Sequence, residues 1–278
     1  MSGSVVHGAL FDLPLRDPPG VLERIVARTR ADVAVRAQQR PLERLIDDVA
    51  ASPHGVRDAL AALRCEGLAL IAEVKPRSPS RGPIRPGLDS RAVAAAYRPY
   101  AAMVSVLCDE PFFGGGHALL GRIRAAVDQP VLCKDFLVSR YQVVEARAAG
   151  ADAVLLMASL LPPATLLVLL DLARSLGMAA LVEVHDTREL AEVIATPARL
   201  IGVNSRNLRT MAIDREAAAA LIATIPSDRI RVAESGIETR ADVDRLAGVA
   251  DAVLIGSTLM AAADPAQAIE ALGWEASR

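Results

Sequence analysis

From residue 69 onward the chain repeats one pattern eight times: an apolar run of strand length, a short loop, then an amphipathic stretch of helical period. The apolar runs fall at 69–74, 103–107, 131–133, 153–157, 180–184, 200–203, 230–233 and 252–255, with helical stretches at 90–100, 118–127, 141–149, 164–176 and 213–225 among those between them. Strands that are apolar at successive positions are buried on both faces, which calls for a parallel sheet covered by helices. Eight such units over roughly 200 residues match the size of a (β/α)8 TIM barrel. A doubly wound open sheet is the alternative, but it is expected to carry a Gly-x-Gly-x-x-Gly turn after its first strand, and residues 75–82 contain none. The predicted fold is therefore an α/β (β/α)8 barrel over residues 69–278.

Ahead of the barrel, residues 1–20 are rich in Gly and Pro and read as an irregular tail. Val21, Leu22, Ile25, Val26 and Val33 recur at helical spacing. Residues 38–41 interrupt that helix, and Pro41 suits the first turn of the next. Residues 21–68 are thus predicted to be a helical extension laid over the later core. Hydrophobic residues make up 52% of the 278 but aromatics only 3%, so the core must be aliphatic. A formal charge of −2, with Lys and Arg scattered, offers no field for nucleic acid or an anionic membrane. No secretory signal pattern and no uncharged apolar span is evident: 160–172 comes nearest, but Pro162, Pro163 and Asp171 mark it as a capped helix. A cytoplasmic chain is expected, a monomer or weak homodimer. Cys65, Cys108 and Cys133 are too isolated for a disulfide framework, and core packing is the expected role of each.

In this fold chemistry comes from the C-terminal ends of the strands. Strand one ends with Glu73 and Lys75, two residues apart and so on one face. Strand three ends with Lys134 and Asp135, strand five supplies Glu183, and strand six Asn204 and Arg206. Strand seven ends Glu234-Ser235-Gly236 and strand eight Gly256-Ser257. Strands two and four end in Leu107-Cys108 and Leu155-Leu156, which fit an apolar wall. One charged strand end is often a structural ion pair, whereas several converging on one mouth point to a reaction site. Small residues after strands seven and eight suit a phosphate, and the three cations suit a ligand with more than one negative group. Two glutamates beside lysines can deliver and remove protons near neutral pH. Phe113, before three glycines, is placed either to stack on a planar ligand or to anchor its loop. His185, two past Glu183, is placed either to face the site or to serve a helix start, of which the helix start is expected, while His7, His54 and His117 have no evident partners. No cluster has metal-ligand spacing, so no metal and no cofactor are expected.

These residues resemble the indole-3-glycerol-phosphate synthase family. The resemblance rests on Ile71-Ala-Glu-Val-Lys75 with Ser78-Pro-Ser80, Val106-Leu107 through Phe113 and Gly115, and Pro130-Val-Leu-Cys-Lys-Asp-Phe136. It continues through Glu145-Ala-Arg-Ala-Ala-Gly-Ala-Asp152, Leu181-Val-Glu-Val-His185 and Gly202-Val-Asn-Ser-Arg-Asn-Leu208. Val232-Ala-Glu-Ser-Gly-Ile237 and Leu254-Ile-Gly-Ser-Thr-Leu-Met260 complete it. It implies a tryptophan-pathway lyase that closes the ring of 1-(2-carboxyphenylamino)-1-deoxyribulose 5-phosphate with loss of carbon dioxide and water. By the resemblance Lys134 is the general acid at the ribulose carbonyl, Lys75 holds the aryl carboxylate, and Glu183 is an acid–base group in dehydration. Glu73 and Asn204 orient them, while Arg206, Glu234 and Ser235 line the site. Ser78, Gly236, Gly256 and Ser257 receive the phosphate, and Phe113 and Leu155 flank the anthranilate ring.

Some positions depart from the family pattern. Pro76 stands where a basic residue is common, Cys108 where Thr is frequent, Cys133 where Arg is frequent and Gly116 where Ser is frequent. They bear on loop mobility and touch no proton-transfer position. A phosphate-binding isomerase barrel such as phosphoribosylanthranilate isomerase needs only one acid and one base, which leaves two lysines and two glutamates unexplained. A barrel that merely binds a metabolite is expected to lack one of the proton-transfer residues, and all are present.

Overall fold

The eight apolar runs form eight parallel strands that close on themselves. They are β1 (Ala69–Val74), β2 (Met103–Leu107), β3 (Val131–Lys134), β4 (Ala153–Met157), β5 (Ala179–Val184), β6 (Leu200–Asn204), β7 (Ile230–Glu234) and β8 (Ala252–Ile255). Each pairs with the next in sequence, and β8 returns to β1 with Ala69 opposite Ala252 and Ala72 opposite Ile255. The computed structural model describes residues 10–18, 20–52, 54–79, 82–207 and 210–276. His7, Pro19, Ser80 and Leu208 lie outside the described residues, as does half of the predicted tail.

Burial follows the pattern read from the sequence. Leu70, Ile71, Val104, Leu132, Val154, Leu156, Leu181, Val182 and Val253 are essentially inaccessible. At about 1.5–3 kcal/mol for each aliphatic side chain removed from water, this mainly aliphatic interior dominates stability. The loops hand over to the helices through short polar side chains. Asp89, Asp109, Ser139, Asp186, Asp214, Thr239 and Asp264 each accept a hydrogen bond from a backbone N–H of the following helix. These caps set helix starts that apolar periodicity alone misplaces. The stretch predicted from 213 begins at Arg215 because Asp214 caps it, while Ile213 bridges to Arg206 instead.

The predicted extension is present as α1 (Val21–Gln39) and α2 (Leu42–Ala51), with a short α3 (Ala59–Ala62) that periodicity did not reveal. Pro41 sits at the cap of α2, one residue outside its first turn. Val33 and Leu45 are fully buried against the barrel. Arg36 clamps Glu145 on the helix Arg140–Ala148 through two hydrogen bonds of 2.8 and 3.0 Å, fixing α1 over the barrel. The described part of the tail has no helix or strand but is pinned: Arg16 N–H donates to the Leu160 carbonyl and the Thr165 hydroxyl to that of Pro14.

One loop needs its glycine. After β2 the chain turns back so that the Gly116 N–H donates to the Leu107 carbonyl at 3.1 Å. A Cβ on Gly115 would overlap the Leu107 carbonyl oxygen, backbone that cannot step aside. Gly115→Ala is expected to cost about 3 kcal/mol or more, read by urea unfolding. Wild-type stability in that variant would show that the loop does not pack this way.

Candidate active site

Every residue singled out above for catalysis or binding lines one cavity at the C-terminal mouth of the barrel. Alternation along the strands explains the convergence: Glu73, Lys134, Glu183, Asn204 and Glu234 are the last inward-pointing positions of their strands. Lys134 stands at the centre. Its Nζ is 2.8 Å from Glu234 Oε2 and 3.1 Å from Glu183 Oε2. Beside it Lys75 Nζ is 2.7 Å from Glu73 Oε1. The five groups are nearly withdrawn from water, with side-chain exposures of 13% for Lys134, 16% for Lys75, 3% for Glu73, 2% for Glu183 and 1% for Glu234.

Their protonation follows from that burial. Desolvation disfavours the charged form of Lys134, yet Glu234, Glu183 and Glu73 outweigh it and keep the ammonium well above its ordinary value. Burial alone would raise Glu183, but Lys134, His185 and the Asn204 side chain hold its carboxyl below the usual range. Glu234 goes the other way. Burial, aided by Glu183 and Glu73 and only partly opposed by Lys134, pushes it up to about 7. Two carboxylates on one ammonium thus take different forms near neutrality, the arrangement that separates an acid from a base.

A pH dependence follows. With its folded pKa above the ordinary 4.5, Glu234 binds more protons in the folded chain than in the unfolded one between pH 4.5 and about 7. Its contribution to stability therefore declines as pH rises through that window. Glu234→Gln, which mimics the protonated form, is expected to flatten this decline in Tm measured from pH 5 to 7.5. An unchanged profile would place the titration elsewhere.

Three sequence expectations need correction. His185 does more than start a helix: its Nε2 is 3.3 Å from Glu183 Oε1 and its Nδ1 3.3 Å from Glu189 Oε2, while Asp186 supplies the cap. Glu234, expected only to line the site, is bonded to Lys134 itself. His117 is not isolated, for it meets Cys108, Cys133 and Glu145 behind the strands. Sequence spacing gives no sign of that meeting, because its members come from a loop, a strand and two helices.

Smaller residues make room. A Cβ at Gly256 would overlap the Glu73 carboxylate, and one at Gly202 that of Glu234. Gly256 thus has a packing role beside its place on the cavity wall. Ser235 and Gly236 both have left-handed backbone, φ 66° and 71°, a conformation rare for serine. The Thr258 hydroxyl donates to the Ile237 carbonyl at 2.8 Å, tying the loops after β7 and β8 together. Phe113 packs on Phe136 with ring centroids 6.0 Å apart, so it lines the cavity and anchors its loop at once. Val21, Leu22 and Ile25 of α1 also reach the cavity, which makes the extension part of the site wall.

Fold and site define a (β/α)8 barrel of the enzymatic kind, with a buried lysine–glutamate constellation beneath small-residue loops. The family model described as indole-3-glycerol phosphate synthase matches residues 22–272. An indole-3-glycerol phosphate synthase of Parafrankia sp. (strain EAN1pec) is 48% identical over 248 residues, covering 88% of this chain and 92% of that protein. Indole-3-glycerol phosphate synthase 2 of Streptomyces coelicolor is 46% identical over 256 residues, covering 91% and 98%. Among solved structures, 3-hexulose-6-phosphate synthase superposes with a TM-score of 0.57 at 17% identity, over 74% of this chain and 98% of that one, which speaks for the fold alone. The chain belongs to the indole-3-glycerol phosphate synthase family.

Proposed function

We propose that the chain closes the indole ring of 1-(2-carboxyphenylamino)-1-deoxyribulose 5-phosphate, releasing carbon dioxide and water, as a step of tryptophan biosynthesis. The observation that carries this reading is Lys134 held between Glu183 and Glu234, with the Lys75–Glu73 pair beside it. Ring closure needs a proton at the ribulose carbonyl oxygen as the aromatic carbon attacks, and Lys134 is the buried ammonium for that transfer. Its two carboxylates keep it charged until it gives the proton up. Lys75 faces the aryl carboxylate and holds it until carbon dioxide departs. The subsequent loss of water needs a base and an acid, for which Glu183 and a lysine serve. Asn204 and Glu73 hold these groups in place, with Ser235 and Arg206 beside them on the wall.

The phosphate falls to Ser78, Gly236, Gly256 and Ser257, where the cavity wall is small and polar. Phe113 and Leu155 form apolar wall for the aromatic ring. No cofactor enters this scheme, since every step is a proton transfer, a carbon–carbon bond change or the cleavage of a carbon–oxygen bond as water leaves, driven by the substrate's own electrons. Among the described residues no helix is long and apolar enough to cross a membrane. With a charge of −2 and Lys and Arg scattered along the sequence, a cytoplasmic chain acting on a free metabolite, as a monomer or weak homodimer and without nucleic acid, is the reading that fits.

The direct test supplies the carboxyphenylamino-deoxyribulose phosphate and follows indole fluorescence; no product at high enzyme concentration overturns the assignment. Ser257→Asp is expected to raise KM at least tenfold with little change in kcat, because a carboxylate there repels the phosphate. An unchanged KM places the phosphate elsewhere.

A further inference from the structure

Behind β2 and β3, on the side away from the cavity, Cys108, Cys133 and His117 converge. Their two Sγ atoms and a ring nitrogen of His117 all lie within 4.8 Å of one another. Both cysteines are buried and free. His117 Nδ1 faces Glu145 Oε2 at 3.9 Å, and that carboxylate is itself held by the Arg36 fork. His117 Nε2 is buried and has no hydrogen-bond partner among the described residues. An imidazole whose one nitrogen faces an anchored carboxylate, and whose other is bare beside two thiols, is oriented as a metal-ligating histidine is, with the carboxylate holding the ring from behind.

We propose that Cys108, Cys133 and His117, through Nε2, form a binding site for a borderline-soft divalent cation, Zn2+ above all. Two thiolates and one imidazole are the ligand types zinc selects, with the fourth tetrahedral position left to water. Binding releases the two thiol protons, so that the dication and two thiolates balance to a neutral buried centre. Ligand atoms within 4.8 Å of one another need to close by only about an ångström to reach zinc–sulfur bonds of about 2.3 Å and zinc–nitrogen bonds of about 2.0 Å. A disulfide between the two cysteines is less suited: it leaves His117 Nε2 without a partner and gives Glu145 nothing to orient.

The site is joined to the catalytic strand. Cys133 directly precedes Lys134, and the Cys108 N–H donates to the Lys134 carbonyl at 3.0 Å. A metal there fixes the backbone that presents Lys134, a structural role with no part in the chemistry.

The test uses the full chain, freshly reduced and freed of metal by a chelator, then titrated with Co2+ and with Zn2+. The expected result is one Co2+ per chain with a thiolate-to-cobalt charge-transfer band in the near ultraviolet, displaced by Zn2+. Zinc is also expected to raise Tm, as any ligand that prefers the folded state does. Cys133→Ser and His117→Ala are expected to lose the band and the Tm response while keeping the far-ultraviolet dichroism of the parent. Should these variants misfold, labelling of the native thiols decides: zinc is expected to slow modification of Cys108 and Cys133 and to leave exposed Cys65 unaffected. A parent chain with no charge-transfer band, equal metal uptake by Cys133→Ser, or thiols whose labelling ignores zinc overturns the proposal. So does recovery of the pair only as a disulfide, with no metal bound after reduction.

Discussion

Lys134→Ala is expected to abolish turnover, with kcat falling at least about a thousandfold, since it removes the acid at the carbonyl and the cation on which two buried carboxylates rest. The loops proposed for the phosphate follow β1, β7 and β8 and keep their sequence, so substrate affinity by calorimetry is expected to stay within a few-fold of the parent. Stability is the second readout. Glu183 and Glu234 are 2% exposed, and losing their shared partner leaves uncompensated charge that is relieved by taking up a proton. Breaking a buried pair typically costs about 3–5 kcal/mol, so Tm is expected to fall at pH 8 and to recover in part at pH 5. Near-parental turnover in a folded Lys134→Ala chain would remove this residue from the mechanism.

Glu183→Gln preserves the shape of the site and deletes one charge. The expected loss is about 10²–10⁴ in kcat, the usual contribution of a positioned acid–base group, with KM within a few-fold. His185 provides an independent reading. Burial lowers its pKa, but Glu189, Glu183 and Glu234 outweigh that and raise it above 6.5. Its charged form therefore contributes stability that is complete below pH 6.5 and is lost as pH rises through the higher folded value. In Glu183→Gln the His185 resonances are expected to titrate at lower pH. A variant with full activity and an unmoved His185 titration contradicts both roles given to Glu183.

The two kinds of site residue differ in how far the sequence disclosed them. Those at strand ends were legible because the strand period fixes which side chains point inward, and in a barrel inward means toward one shared mouth. Glu73, Lys75, Lys134, Glu183 and Asn204 follow directly from that. Who pairs with whom did not follow. Glu234 reaches Lys134, and His185 reaches Glu183 from behind, through distances that depend on barrel closure and side-chain length. The helix caps were present in the sequence as Asp, Ser and Thr, yet apolar periodicity passes over them, hence helix starts misplaced by a residue or two.

What the sequence by itself determined is the architecture and the identity of the inward-facing charges, because apolar runs of period-free strand and helical repeats admit few ways of burying their aliphatic surface. Only the tertiary structure decided that Gly256 clears space for Glu73, that α1 walls the mouth, and that Cys108, His117 and Cys133 share one buried pocket. The reason is physical. Local pattern encodes which face of an element avoids water, whereas proximity between side chains of different elements arises only when closure of the sheet fixes their separation.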